Sequence, residues 1–405
     1  MPENVILLTL DTLRKDHVGS CGGREGLTPF IDSLQDRCIT FTNVQAVGPY
    51  THASFPGILT SSYSLDYPDH GRTDKLSPQR TLISQVLKKA GLTTAAFHSN
   101  APMCSFFGWN RGWDVFYDSM EAKVTPETPY VRGDSINSKV NGWLGTHVKS
   151  KDYRPFFLWT HYMDIHEPYV PEQRTVDRVD PSIKLGKPEM FRLFTDVLAK
   201  RDVSDADTVE LLRKLYCAQV RETDDHVRAY FDILDSHGVL ADSVVIITSD
   251  HGDEFNEHGG LSHDGKMYAE LIDIPLLIYD DARKEPASCD RLVSNLDISP
   301  TILHLFGLAP FEGFQGRSLL PTDDYPVKGC FGEAIAKRGK QQPTDKPVYY
   351  YREGSVKIIY DATDDSWQMY DLADDPAERR NIVDISPHAE DMKGKLRPRI
   401  HRNKG

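Results

Sequence analysis

The sequence predicts an α/β protein: a doubly wound, mostly parallel central sheet flanked by helices, followed by a small C-terminal subdomain with a short antiparallel sheet. Three observations predict it. Short apolar runs recur up to about residue 280, each ending in polar residues. Stretches of helical periodicity fall between them. Beyond about residue 320 this pattern gives way to polar sequence and then to a hairpin signal.

The apolar runs are residues 5–10 before Asp11, 94–97 before His98, 156–159 before His161, 244–248 before Asp250 and 275–279 before Asp280. A run that is apolar almost throughout fits a strand covered on both faces, as parallel strands between helical layers are. Residues 81–90 and 205–238 have the periodicity of amphipathic helices, the second with room for a break inside it. Alternating strands and helices wind into an open sheet whose ligands sit beyond the carboxyl ends of the strands. Asp11, His98, His161, Asp250 and His251 would collect there. The catalytic domain is expected over residues 1–325 and the subdomain over 326–405. Within the latter, residues 348–352 and 356–360 read as a hairpin turning at Glu353-Gly354, and the basic tail from Lys393 as frayed.

Composition narrows the function. Hydrophobic residues make up 39% of the 405 and aromatics 10%, enough for a substantial core. Lys and Arg number 47 against 60 Asp and Glu, a net charge of −13 that argues against a nucleic-acid partner. A small anionic substrate stays open, because a bound metal ion overrides the global field locally. Cys21, Cys38, Cys104, Cys217, Cys289 and Cys330 lie far apart without a C-x-x-C pair, and read as free thiols of a reducing compartment. No basic leader precedes the first apolar run, and no stretch approaches the ~20 apolar residues of a membrane span. The expectation is a cytoplasmic protein with no membrane span.

Candidate chemistry gathers at the strand ends. Ser249-Asp250-His251-Gly252 offers a carboxylate and an imidazole to one cation, and Asp11 closes the first strand in the same manner. Thr51, in Pro49-Tyr50-Thr51-His52-Ala53-Ser54-Phe55-Pro56, stands before what reads as a helix start, where free N–H groups attract anions. Further on come His166-Glu167-Pro168-Tyr169, Glu257-His258-Gly259-Gly260 with His263 and Lys266, Asp297-Ile298-Ser299-Pro300, and Gly316-Arg317-Ser318. Tyr370-Asp371-Leu372 follows, with Asp375-Pro376, Glu378 and Asn381. Together and in this order, these segments resemble the sulfatase family of the alkaline phosphatase superfamily across nearly the whole chain.

The resemblance implies that family's fold, a nucleophile at Thr51, and a divalent cation (Mn, Zn, Mg or Ca) held by Asp11, Thr51, Asp250 and His251. It also implies that His166, His263 and Lys266 hold the anion or protonate the leaving oxygen, with His98, Asn100 and His161 contacting substrate. Three departures matter. Family sulfatases carry a Cys or Ser that becomes formylglycine in a C-x-P-S-R motif, whereas this chain has Thr51 and, four residues on, Phe55. Thr12 stands where many have a second Asp, and His251 where many have Asn. These shift the expectation toward relatives with a plain Thr or Ser nucleophile, which cleave phosphate mono- or diesters through a covalent intermediate. A sulfate ester hydrolase without formylglycine and a two-metal phosphomutase are the alternatives. One metal is the working expectation; a second could draw on Asp164, His166 and His263.

Overall fold

The computed structural model describes residues 2–71, 74–200, 203–322, 329–336 and 345–402. Its centre is an eight-stranded sheet built from β1 (Asn4–Leu10), β2 (Cys38–Phe41), β3 (Thr93–His98), β4 (Val115–Tyr117), β5 (Phe156–Tyr162), β6 (Ser243–Thr248), β7 (Leu276–Asp280) and β8 (Ala287–Cys289). Across the sheet they run β8-β2-β7-β6-β1-β5-β3-β4. β1 pairs in parallel with both β5 and β6, and every residue of these three strands is buried. The run at 275–279 falls in a strand, Leu276–Asp280, but not in a parallel one. β7 runs antiparallel to β6 and β2, so its apolar run reflects cover on two faces and carries no signal of direction.

Alternate residues of β1 explain the two layers. Ile6, Leu8 and Leu10 enter one core with α3 (Gly133–His147) and α5 (Ala206–Ser236). Val5 and Leu7 enter the other, with α1 (Thr51–Thr60), α2 (Ile83–Lys89) and α6 (Ile298–Leu305). α4 (Lys187–Lys200) packs on the first of these layers. α5 runs 31 residues without the break that its sequence left room for, capped at its start by the Asp205 carboxylate on the N–H groups of Asp207 and Thr208.

The expected domain boundary at residue 326 lies outside the described residues. From Cys330 on, four antiparallel strands follow in chain order: β9 (Cys330–Ile335), β10 (Pro347–Glu353), β11 (Val356–Asp361) and β12 (Ser366–Asp371). The hairpin of β10 and β11 turns where the sequence suggests. As far as Arg402 the tail is not frayed. Residues Ala389–Arg402 form α7, whose Met392, Leu396 and Ile400 pack on Tyr351, Ile358 and Met369. Its charge hides this amphipathic face: Arg399 turns inward onto Glu333 at 2.7 Å and Asp66 at 2.9 Å. All six cysteines are buried and unpaired, and no described helix is long and apolar enough to cross a membrane.

Candidate active site

Register sets the site. His161 on β5 lies beside Thr9 on β1 and beside His98 on β3, while Thr9 is also level with Thr248 on β6. The next residues outward, Asp11 and Asp250, therefore emerge side by side at the carboxyl edge of the sheet. Thr12 makes the sharp exit possible. Its φ is 58°, a left-handed conformation that is strained for a β-branched residue, and it is held there by Tyr216, whose hydroxyl donates to the Thr12 carbonyl at 2.8 Å. Thr51 arrives from the other layer as the first residue of α1. Ser54, one turn on, donates to the Asp250 carbonyl at 2.6 Å and accepts from Asn295 at 2.7 Å, which fixes the helix start against the end of β6.

Four of the sequence-selected residues converge. Donor atoms of Asp11, Asp250 and His251 lie within 4.8 Å of one another. Nε2 of His251 is 3.6 Å from Asp11 Oδ1, 3.4 Å from Asp250 Oδ2 and 3.4 Å from Thr51 Oγ1. Nδ1 of His251 faces the Gly252 carbonyl at 2.9 Å, so the proton sits there and Nε2 presents a lone pair. Two fully buried carboxylates facing each other need a counter-charge. Burial, then the charge of Asp11, pushes the Asp250 carboxyl far above its ordinary range. Burial also opposes the charge on Asp11, but the His161 hydrogen bond and the neighbouring histidines outweigh it and hold that carboxyl low. Asp11 Oδ1 and Asp250 Oδ2 have no hydrogen-bond partner among the described residues. This buried, orphaned O/N donor set fits a divalent cation.

The other candidates divide. Asn100 donates to Asp11 Oδ2 at 3.1 Å, and His161 Nε2 lies 3.2 Å from the same oxygen with Nδ1 tied to Thr9 at 2.9 Å. Both thus orient Asp11. His98 is buried behind them, stacked on Trp159 at 5.6 Å, and burial pulls its pKa down to about 3. The His263 ring lies tilted by 49° beside that of His251, ring centres 4.6 Å apart, and meets His166 edge-on at 4.9 Å. Its Nδ1 meets Asp253 at 2.8 Å. Burial opposes its charge, yet Glu167 and Asp253 outweigh burial and raise the pKa to about 10, so it is an imidazolium at neutral pH. Lys266 is not brought to this group: its amine is bonded to Glu254 at 2.7 Å and to the His258 carbonyl at 2.9 Å. Asp164, considered for a second metal, instead accepts from the Gly133 N–H at 2.8 Å and faces His226 at 3.4 Å.

Sequence reasoning missed Glu167 and Asp253, the two carboxylates behind His263. Asp253 directly follows Ser249-Asp250-His251-Gly252 and Glu167 fills the open position of H-x-P-Y, so only their place beside a candidate His could have flagged them. Phe55 packs edge-on against His161 at 4.9 Å, so an aromatic core contact occupies the position of the family arginine.

Comparisons with known proteins identify the family and the fold. The sulfatase family model matches residues 3–308, most of the chain. The protein belongs to the sulfatase family. A second model, N-sulphoglucosamine sulphohydrolase, C-terminal, matches residues 257–404. Among curated relatives, the N-acetylglucosamine-6-O-sulfatase of Bacteroides thetaiotaomicron is 24% identical over 96% of this chain and 84% of its own. The multifunctional alkaline phosphatase superfamily protein of Trinickia caryophylli is 24% identical over 79% of this chain and 76% of its own. A solved structure in complex with its substrate, D-glucosamine-2-N,6-O-disulfate, superposes with a TM-score of 0.81 at 20% identity, covering 100% of this chain and 98% of its own. The phosphonate monoester hydrolase of Agrobacterium radiobacter gives 0.74 at 17% identity, covering 99% and 95%. This sulfatase-family chain is an ester hydrolase with the fold of those neighbours.

Proposed function

We propose that this sulfatase-family enzyme is a one-metal hydrolase of phosphate mono- or diesters that works through a phospho-Thr51 intermediate. One observation carries the proposal: the group at the nucleophile position is a secondary hydroxyl, 3.4 Å from Nε2 of His251 and beside the Asp11–Asp250 pair. Oxidation of threonine would give a ketone, so the aldehyde hydrate that sulfatases use to expel sulfate has no precursor here. A divalent cation held by Asp11, Asp250 and His251 would acidify the hydroxyl and offset charge on the ester oxygens.

The remaining steps fall to the chain's own residues. The start of α1, where the Ala53 and Ser54 N–H groups already bond the Tyr50 carbonyl, turns the positive end of the helix dipole toward the incoming anion. His263 keeps Nδ1–H on Asp253, which leaves Nε2–H to hold an ester oxygen or to protonate the leaving group. His166 flanks it with the same options. Thr51 releases its hydroxyl proton to solvent and its oxygen attacks phosphorus, while the bond to the leaving oxygen breaks with proton transfer from one of these imidazoles. Water then attacks phosphorus, returns a proton to that imidazole, and Thr51 oxygen leaves and is re-protonated from solvent. Asn100 and His161 hold Asp11 in place throughout.

Sulfate ester hydrolysis is the second reading, favoured by the relatives whose names specify sulfated sugars. The phosphonate hydrolases and the multifunctional relative favour the first. A panel of matched aryl phosphate, phosphodiester, phosphonate and sulfate esters, each with Mn, Zn, Mg or Ca, decides between them. Faster turnover of sulfate than of both phosphate forms at saturating metal would overturn the phosphoester reading. We also place the protein in the cytoplasm, on the support of its six buried, unpaired thiols. Titration of the unfolded, unreduced chain should then count six thiols, and fewer would contradict that location.

A further inference from the structure

We propose that His258 is a positioning residue: it ties the C-terminal subdomain to the loop that carries His263 and so holds that imidazole beside His251. Glu257-His258-Gly259-Gly260 and Glu378 stand out in the sequence, yet the chemistry above uses neither. The loop is a short ribbon. Glu254–Phe255 pairs antiparallel with Leu261–Ser262, and a left-handed Ser262, at φ 70°, turns the chain just before His263. The Glu254 carboxylate closes the ribbon from within. It accepts from the His258 N–H at 2.8 Å, the Gly260 N–H at 2.7 Å and the Lys266 amine at 2.7 Å.

The His258 side chain makes the link to the rest of the molecule. Its Nδ1 lies 2.6 Å from Glu270 Oε1 and its Nε2 3.1 Å from the Glu378 carbonyl. Its ring stacks on Tyr268, centres 3.6 Å apart and planes 4° from parallel, and the Tyr268 hydroxyl donates to Gln368 of β12 at 2.8 Å. Glu378 is anchored from the subdomain side. Its carboxylate pairs with Lys357 of β11 at 2.8 Å, both side chains buried, and accepts from the Ala269 N–H at 2.6 Å. Ala269 opens the short helix Ala269–Ile272 that bears Glu270, so both ends of the clamp are built on one frame. A carbonyl and an ionised carboxylate only accept, so both ring nitrogens of His258 must donate and the clamp holds an imidazolium. Burial opposes this charge, but Glu270 outweighs burial and leaves the ring above the ordinary histidine value. A ring committed at both nitrogens has no proton to give to substrate, which separates its role from those of His166 and His263. Its effect on turnover is indirect: displacing a reacting group by about 1 Å costs about a hundredfold in rate.

The inference rests on the reading of His263 as a proton donor, and two measurements on the full-length protein keep the two apart. The first is NMR of isotope-labelled histidine. The His263 Cε1–H resonance, assigned through His263→Gln, should move in His258→Gln while the circular dichroism stays that of wild type. The second compares leaving groups on the best ester of the panel. In His258→Gln, kcat/KM should fall about a hundredfold for the phenyl form and much less for the nitrophenyl form, whose leaving group needs no proton. A merely structural role would lower both alike. Glu270→Gln, which removes the charge that faces the ring, gives a second route should His258→Gln fold poorly. An unmoved His263 resonance in the folded variants would overturn the positioning role. So would an equal loss on both esters where His263→Gln itself discriminates them. Failure of His263→Gln to discriminate them would instead remove the proton-donor reading, and the resonance alone then decides the role of His258.

Discussion

At the scale of single residues, the site rests on Thr51 and on a buried pair of carboxylates. Thr51 is both the proposed nucleophile and a candidate ligand, so Thr51→Ala removes two functions at once and should lower kcat/KM by about three orders of magnitude or more, measured on the best ester of the panel. Mass spectrometry of the peptide holding Thr51 should return an unmodified threonine; an aldehyde or ketone there would sink the assignment. Away from the metal cluster, His226 offers a pH test. Burial lowers its pKa, but the Asp164 carboxylate outweighs burial and leaves it above the ordinary histidine value. A raised folded value means the protonated ring favours the fold, fully below the unfolded pKa of about 6.5, and that this contribution fades as pH rises through the folded value. His226→Gln should therefore cost more Tm at pH 5.5 than at pH 9. Asp11, Asp250 and His251 are legible in sequence because each follows an apolar run, and Thr51 because its segment resembles the family's nucleophile motif. Glu167 and Asp253 are not, because their role is set by three-dimensional proximity to His263.

At the scale of elements, most of the sheet could be read in advance, since five of its strands are apolar runs closed by polar residues. What could not be read was direction and charge compensation. β7 looks like its parallel neighbours because burial on two faces, not orientation, dictates its composition. α7 was mistaken for a solvated tail because its basic residues dominate the sequence, whereas Arg399 is 11% exposed and bridges Glu333 and Asp66, which are 0% and 3% exposed. Removing one partner of a buried ion pair strands the other charge, a loss of about 3–5 kcal/mol. Arg399→Ala should accordingly destabilise the protein by about that amount in urea titration, and Arg399→Lys should recover only part of it, since lysine lacks the planar fork that meets Glu333 through two nitrogens. A value within about 0.5 kcal/mol of wild type would show that the bridge adds nothing beyond an exposed ion pair.

At the scale of the whole molecule, the sheet spends its stability on a charged edge. Asp11 and Asp250 are both 0% exposed, and their orphaned oxygens face each other across His251. In the metal-free chain this repulsion is relieved only by protonation, which is why Asp250 is pushed up so far. A cation that binds the folded chain and not the unfolded one adds RT ln(1 + [L]/Kd), about 2.7 kcal/mol at a hundredfold excess over Kd. Stripping with chelator should therefore abolish turnover and also lower Tm, and re-addition of metal should restore both together. Asp250→Asn separates the two effects. Its amide is neutral at every pH, as Asp250 of the stripped chain becomes only by protonation, so the variant should lose metal and activity yet melt at or above the temperature of the stripped wild type, with its Tm no longer responding to metal. If stripped wild type kept full activity, or if Asp250→Asn melted well below it, the carboxylate pair would be a structural feature and not a metal centre.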